Sequence, residues 1–282
     1  MKKILVPTDF SAFADSALQL AIQIAQKAES EIILLHIMLT NDDVRVEASA
    51  EGVLVSGGSE DHYIHEMIKK FSTSFHTLIQ ESGYDRMSYQ ISSGNVGRAI
   101  IKLAEASEVD LIVMGTQGED AYEENFVGST AERVVRLADC PVLAVPLTPK
   151  AKPPERIVLA CDLEDRHQIP SDQIKQLQTW FDAQLYLVYI NTPSSFLPSY
   201  EAEIKAQNFT DRYALQAHSF QLYCDFTEDD GIIHYADSVQ ADLIIVASHK
   251  RSGLSRLLSG SVSEGVLQAS KIPVLIFNLK HP

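Results

Sequence analysis

Short runs of Ile, Leu and Val alternate along this chain with longer stretches whose apolar residues recur every three or four positions. The run at residues 4–6 ends at Pro7-Thr8-Asp9, and after it Ala14, Ala17, Leu18, Ala21, Ile22, Ile24 and Ala25 fall at helix spacing. The same logic predicts a strand over 32–38, a helix over 62–80, a strand over 87–92, a helix over 96–106 and a strand over 111–114. A helix opening at Ser129 and a strand over 142–145 complete the unit. Continuous Ile/Leu/Val runs alternating with amphipathic helices mean a parallel sheet covered on both faces. Such sheets take ligands beyond the carboxyl ends of the strands, where strand order reverses. Pro7-Thr8-Asp9, His36-Ile37 and Met114-Gly115 therefore point to one end. Residues 40–61, with Gly52, Gly57, Gly58 and several acids, read as a mobile loop.

The unit occurs twice. Lys3-Ile4-Leu5-Val6-Pro7-Thr8-Asp9 aligns with Arg156-Ile157-Val158-Leu159-Ala160-Cys161-Asp162, and residues 33–37 align with 186–190 in the same register. Further on, Asp110-Leu111-Ile112-Val113-Met114 aligns with Asp242-Leu243-Ile244-Ile245-Val246, Gly128-Ser129 with Gly260-Ser261, and Pro141-Val142-Leu143 with Pro273-Val274-Leu275. One change of register separates the two sets, so the second copy is shorter between Ile190 and Asp242. The predicted domains are 1–147 and 155–282, joined by a proline-rich linker at 148–154. Pairing of the last strand of each copy, 142–145 with 274–277, would hide both edges. It predicts a pseudo-two-fold dimer within one chain and leaves a homodimer open.

Charge narrows the partners. Residues 1–150 carry 12 basic and 22 acidic side chains and residues 151–282 carry 11 and 16, for a net −15. Neither half clusters Lys and Arg as nucleic acid or anionic lipid requires, so no nucleic-acid or membrane partner is expected. No apolar stretch reaches the ~20 residues of a membrane span. The opening Met-Lys-Lys-Ile-Leu-Val-Pro lacks the apolar region of a signal peptide. Cys140, Cys161 and Cys224 are odd in number and far apart, which fits buried reduced thiols and a cytoplasmic protein.

One motif carries chemistry. After the strand at 111–114 comes Gly115-Thr116-Gln117-Gly118, nine residues, then Gly128-Ser129-Thr130. Glycines let backbone and ligand approach closely, and the free N–H groups and positive dipole end of a helix starting at Ser129 suit an anion. The plainer account is turn glycines with an ordinary Ser/Thr cap. Asp9 likewise suits either a ligand contact or an Asx-turn.

These blocks, together with Leu34-Leu35-His36-Ile37, Cys140-Pro141-Val142-Leu143 and Ser248-His249-Lys250-Arg251-Ser252-Gly253-Leu254, resemble the universal stress protein family over nearly the whole chain, as two tandem domains. The resemblance implies an α/β fold of two tandem doubly wound parallel five-stranded sheets, Rossmann-like and adenine nucleotide alpha hydrolase-like. One branch of that family binds ATP. Carried onto this chain, the resemblance puts adenine at Asp9, beside Thr8, and at Ile37. It puts ribose near Met114 and Gly115, and phosphates at Gly118, Gly128, Ser129 and Thr130. Mg²⁺ would accompany the nucleotide.

Two departures matter. The nine-residue loop of copy one holds Glu119, Asp120, Glu123 and Glu124 and no base. Like charges ~4 Å apart repel by roughly 1 kcal/mol in water and about 4 at a protein surface, so this loop disfavours a triphosphate unless Mg²⁺ bridges them or the loop swings out. In copy two the loop is basic, yet Ala247 and Lys250 replace the first two glycines. That copy reads as degenerate for ATP, with Lys250, Arg251, Gly260 and Ser261 left as an anion site. Three function classes follow: a nucleotide-responsive regulatory protein, a non-nucleotide tandem scaffold acting through protein partners, and a hydrolase. No nucleophile, base or metal cluster is legible, so slow ATP hydrolysis is the most catalysis expected.

Overall fold

The computed structural model describes residues 1–39, 45–56, 61–118, 127–147, 152–163, 169–249 and 262–279. They fall into two compact units. The first holds the described residues up to Gly118, Gly128–Cys140 and Leu147; the second holds Val127, Pro141–Pro146 and the described residues from Lys152 onward.

In chain order the first repeat runs β1 (Lys3–Pro7), α1 (Ala12–Ala28), β2 (Glu31–Met38), β3 (Arg45–Ser49), β4 (Gly52–Ser56), α2 (Asp61–Ser82) and β5 (Met87–Ser93). It continues with α3 (Val96–Ala106), β6 (Leu111–Gly115), α4 (Ser129–Leu137) and β7 (Val142–Val145). The sheet of the first unit has the order β6-β1-β2-β5-β3-β4. β6, β1, β2 and β5 are mutually parallel. Right-handed crossovers place α1 and α2 on one face and α3 and α4 on the other, and α3 packs on α4. The strand centres are dry: Ile4, Leu5, Val6, Leu34, Leu35, Ile112 and Val113 are all fully buried. Each such side chain contributes roughly 1.5–3 kcal/mol.

The second repeat runs β8 (Arg156–Ala160), α5 (Ser171–Phe181), β9 (Gln184–Asn191), α6 (Ser199–Tyr213), β10 (Ala217–Cys224), α7 (Glu228–Ser238), β11 (Leu243–His249), α8 (Val262–Ala269) and β12 (Val274–Leu279). Its five strands lie parallel in the order β10-β9-β8-β11-β12. β7, which closes the first repeat in sequence, belongs to this second unit. It runs antiparallel along β12 with Val142 opposite Ile276, Leu143 opposite Leu275 and Ala144 opposite Val274. The strand pairing anticipated for 142–145 and 274–277 is thus present.

The copies share one device at their bases. The Asp110 carboxylate accepts from Lys3 N–H at 3.0 Å, and Asp242 accepts from Arg156 N–H at 3.0 Å. Each aspartate ties the strand that follows it to the first strand of its own copy. The three cysteines are free, but the expectation that all are buried does not hold: Cys224, at the end of β10, is exposed, and Cys140 and Cys161 are partly exposed. No helix among the described residues is long and apolar enough to cross a membrane.

One expectation needs correction. The segment read as a mobile loop holds a hairpin: β3 pairs antiparallel with β4 and with β5. Val46 and Ala48 alternate with Arg45 and Glu47 and bury their side chains, a half-buried strand pattern. The turn at Ala50-Glu51 has neither Asn-Gly nor Asp-Gly, the usual hairpin signal, which hid it.

Candidate functional site

The site is built from the turn that ends β1. Strand pairing continues one residue beyond Pro7, because Thr8 N–H donates to the Leu35 carbonyl at 2.8 Å. Two short side chains then fold the backbone back on itself. The Thr8 hydroxyl accepts from Phe10 N–H at 3.0 Å, and Asp9 Oδ1 accepts from Ser11 N–H at 3.0 Å. This holds Phe10 in the left-handed region, φ 64°, a conformation that costs a non-glycine residue about 1–2 kcal/mol. Ser11 then caps α1, its hydroxyl accepting from Ala14 N–H at 3.3 Å. The Asx-turn role of Asp9 is therefore real, and one of its oxygens is committed to it.

The strained turn rests on aromatic rings that motif reading passed over. Phe10 lies parallel to Phe71 at 5.9 Å and tilted against Phe75 at 5.1 Å. The His36 ring packs on Phe71 at 4.0 Å and on Phe10 at 5.2 Å. Phe71 and Phe75 are four apart on α2, so they share a face; that spacing was the available signal. His36 Nδ1–H donates to the Thr8 carbonyl at 2.9 Å, which locks the ring between the ends of β1 and β2. Burial holds the His36 pKa below its ordinary value, against the opposing pull of the Thr8 carbonyl and the Asp9 charge. Ile37, next along β2, is buried.

The glycines do different work. A Cβ on Gly115 would come within 2.9 Å of Phe13 Cβ and 3.0 Å of the Phe13 carbonyl carbon. That glycine lets the end of β6 meet the first turn of α1. Beside it Met114 is buried. A Cβ on Gly118 would sit 2.7 Å from Asp9 Oδ2, so the second motif glycine makes room for the aspartate of the β1 turn. Gly128 N–H donates to the Thr116 carbonyl at 2.8 Å and closes the base of the loop whose acids at 119–124 lie outside the described residues. Gly128 is also the N-cap of α4 and brings no side-chain cap. Exposed Ser129 and half-buried Thr130 open that helix.

Charge here is negative. Asp15, in the first turn of α1, has its carboxyl pushed above the usual carboxylate range by burial and then by Asp9. Asp9, Gly115, Gly118, Thr116 and Gly128 are thus joined by direct contact or through α1, while Ile37 flanks them at the end of β2.

The second copy repeats the turn with different side chains around it. Cys161 N–H donates to the Val188 carbonyl at 3.1 Å, and Leu163 adopts φ 57°, matching Thr8 and Phe10. The Cys161 thiol is pushed far above its ordinary range by burial, so it is inert. Tyr189 stands where His36 stands and donates its hydroxyl to the Ser195 carbonyl at 2.8 Å. Lys250, Arg251, Gly260 and Ser261 lie outside the described residues. Among the described residues, no group of three or more His, Cys, Asp and Glu is arranged to hold a metal ion.

Comparison with known proteins agrees with this frame. The model of the universal stress protein family matches residues 1–146 and 226–278. A universal stress protein of Methanocaldococcus jannaschii is 31% identical over 150 residues, covering 51% of this chain and 81% of that protein. One from Synechocystis is 23% identical over 300 aligned positions, covering 98% of this chain and all of the relative. Among solved structures, a universal stress protein from Archaeoglobus fulgidus shares the fold at a TM-score of 0.74 with 18% identity, covering 98% of both chains.

Proposed function

Because the chain belongs to the universal stress protein family, we propose that it is a regulatory protein whose first copy binds ATP or another adenine nucleotide. One observation carries this reading: Gly118 lies against the Asp9 carboxylate, beside a loop base that leads into a helix opened by Gly128 without a side-chain cap. The α4 end offers N–H groups to phosphate, and a side chain at Gly118 would crowd the approach. Asp9 and Ile37 would take the adenine edge, Met114 and Gly115 would lie by the ribose, and Gly118, Gly128, Ser129 and Thr130 by the phosphates. Mg²⁺ would offset the acids at 119–124 and the Asp9–Asp15 pair. Action in the cytoplasm, the absence of a nucleic-acid partner and pairing of the two copies as a pseudo-dimer belong to the same proposal.

The test is calorimetric titration with ATP and Mg²⁺, beside a Gly118→Lys variant that copies Lys250 of the second repeat. Binding near one site per chain, lost in the variant, is expected. No heat even at high ATP would put the protein among tandem scaffolds that act through protein partners.

A further inference from the structure

The carboxyl-end surface of the second unit has lost the glycines of a nucleotide cradle and carries exposed rings instead. Phe226 is 87% exposed and Phe196 73% exposed. Both lie on loops that leave the carboxyl ends of neighbouring strands, β10 and β9. These loops are fixed to one another. Asn191 accepts from Leu197 N–H at 2.7 Å and donates to its carbonyl at 3.2 Å, and Asp225 N–H donates to the Asn191 carbonyl at 3.2 Å. The Ser195 hydroxyl is hydrogen-bonded to the Glu228 carboxylate, so the residues beside Phe196 and Phe226 are held together. The apolar surface continues onto α6, where exposed Tyr200 and Ile204 are four apart on the face opposite buried Ala202, Ala206 and Phe209. Rings held in the open by an ordered polar network are not loose loop residues; apolar patches rimmed with charge mark interaction sites.

The rim is acidic. Asp162 and Asp229 both press on Glu228, and burial with these two charges pushes its carboxyl above the usual range. Asp230 adds a third acid to the first turn of α7, while the Asp225 carboxylate is engaged by His234 at 2.7 Å. A cation brought against these carboxylates relieves their mutual repulsion, whereas phosphate or an anionic lipid surface adds to it.

We propose that this surface docks a basic, amphipathic segment of a partner protein, its apolar side chains on Phe196, Phe226, Tyr200 and Ile204 and its Lys or Arg against Asp162, Glu228 and Asp229. The assignment is independent of nucleotide binding in the first unit.

The probe is a fluorescent peptide alternating Lys with Leu, followed by polarisation on the full chain, beside a peptide of the same length alternating Glu with Leu. The Lys–Leu peptide should bind and the Glu–Leu peptide should not. Phe196→Ser with Phe226→Ser should weaken binding about tenfold or more, as removal of central anchors does. Both rings are exposed, so the variant should keep the parent's circular dichroism and melting temperature. Glu228→Gln with Asp229→Asn should weaken binding and flatten its salt dependence. Three results would overturn the proposal. One is no binding of the Lys–Leu peptide. Another is equal binding to the double-Phe variant, which reduces the effect to diffuse attraction by an acidic chain. The third is a solution mass that falls from dimer to monomer when the phenylalanines are replaced, which gives the patch to a second copy.

Discussion

The two copies make the same turn with different side chains. Thr8 and Cys161 both extend the first strand by one amide bond to the second, and Phe10 and Leu163 both sit at positive φ. Beneath the turn, copy one has His36 and Phe71, while copy two has Tyr189 bonded to its own loop. Backbone at the switch point is therefore set by the fold, because both copies must carry the chain from β1 or β8 into the next helix. Ligand chemistry rides on that backbone and is free to diverge. An aspartate at this turn, Asp9 or Asp162, is for that reason weak evidence of binding by itself.

The largest way to break the symmetry lies in β7. Leu143 is part of the first repeat in sequence but 2% exposed and opposite Leu275 in the second unit. Leu143→Ala should cost roughly 2–5 kcal/mol. Amide exchange should lose protection in β12 before β1. If β1 and β2 open first, the strand's place in the second unit is wrong.

A smaller test uses a size exchange between equivalent helix pairs. In copy one Gly97 faces Arg133, and in copy two Asp229 faces Gly265, the same two positions with large and small reversed. A Cβ on Gly97 meets Arg133 Cδ at 2.7 Å, a point on a long side chain able to swing away. A Cβ on Gly265 runs into Asp229 Oδ2 and lies 2.9 Å from Asp229 Cβ, which cannot. Gly265→Ala should therefore cost about 1–3 kcal/mol as overpacking, while Gly97→Ala should be close to neutral. Adding Asp229→Ala should recover much of the Gly265→Ala loss, read as coupling in a double-mutant melt series. Equal costs for the two glycine substitutions would show that side-chain length is not what decides.

These contrasts also show what a sequence discloses. α3 spans the residues that periodicity assigns to it, and Asn95 caps it as its side chain suits, its Oδ1 accepting from Arg98 N–H at 3.2 Å. Continuous Ile/Leu/Val runs announce buried parallel strands because both faces must be apolar. The β3–β4 hairpin escaped because its turn has no Asn-Gly or Asp-Gly pair and its outer strand is exposed. The role of Gly115 escaped for another reason: spacing shows that a glycine leaves room, not that the first turn of α1 fills it. The aromatic floor joins Phe10 to residues some sixty positions away on α2, a proximity only the tertiary fold creates.

Neutralising the acids of copy one makes a gentler change. Replacing Glu119, Asp120, Glu123 and Glu124 by their amides should strengthen ATP binding several-fold at low Mg²⁺, less at high Mg²⁺ or salt. Calorimetry on the quadruple variant decides it. Unchanged affinity at every Mg²⁺ level would mean that the loop does not face the phosphates.

The smallest effect is a difference in pH response between the copies. His36 has its pKa lowered in the folded state, so below the ordinary histidine value of about 6.5 the unfolded chain binds the proton more readily. Stability contributed by neutral His36 is present above that value and is lost as pH falls through the window down to the lowered one. In copy two Tyr189 occupies the equivalent position, while exposed His234 pairs with Asp225 at 2.7 Å. The Asp225 bond raises the His234 pKa, so this pair's stabilisation is fully present below the ordinary histidine value and fades as pH rises through the raised one. Screening by solvent keeps that second contribution slight. Between neutral pH and roughly pH 5, amides of β1 and β2 should lose exchange protection while those of β8 and β9 hold theirs. His36→Asn, whose amide N–H takes the place of Nδ1–H toward the Thr8 carbonyl, should remove the difference. A parallel loss in both copies, or a difference that survives the substitution, would mean that another group sets the acid response of the first unit.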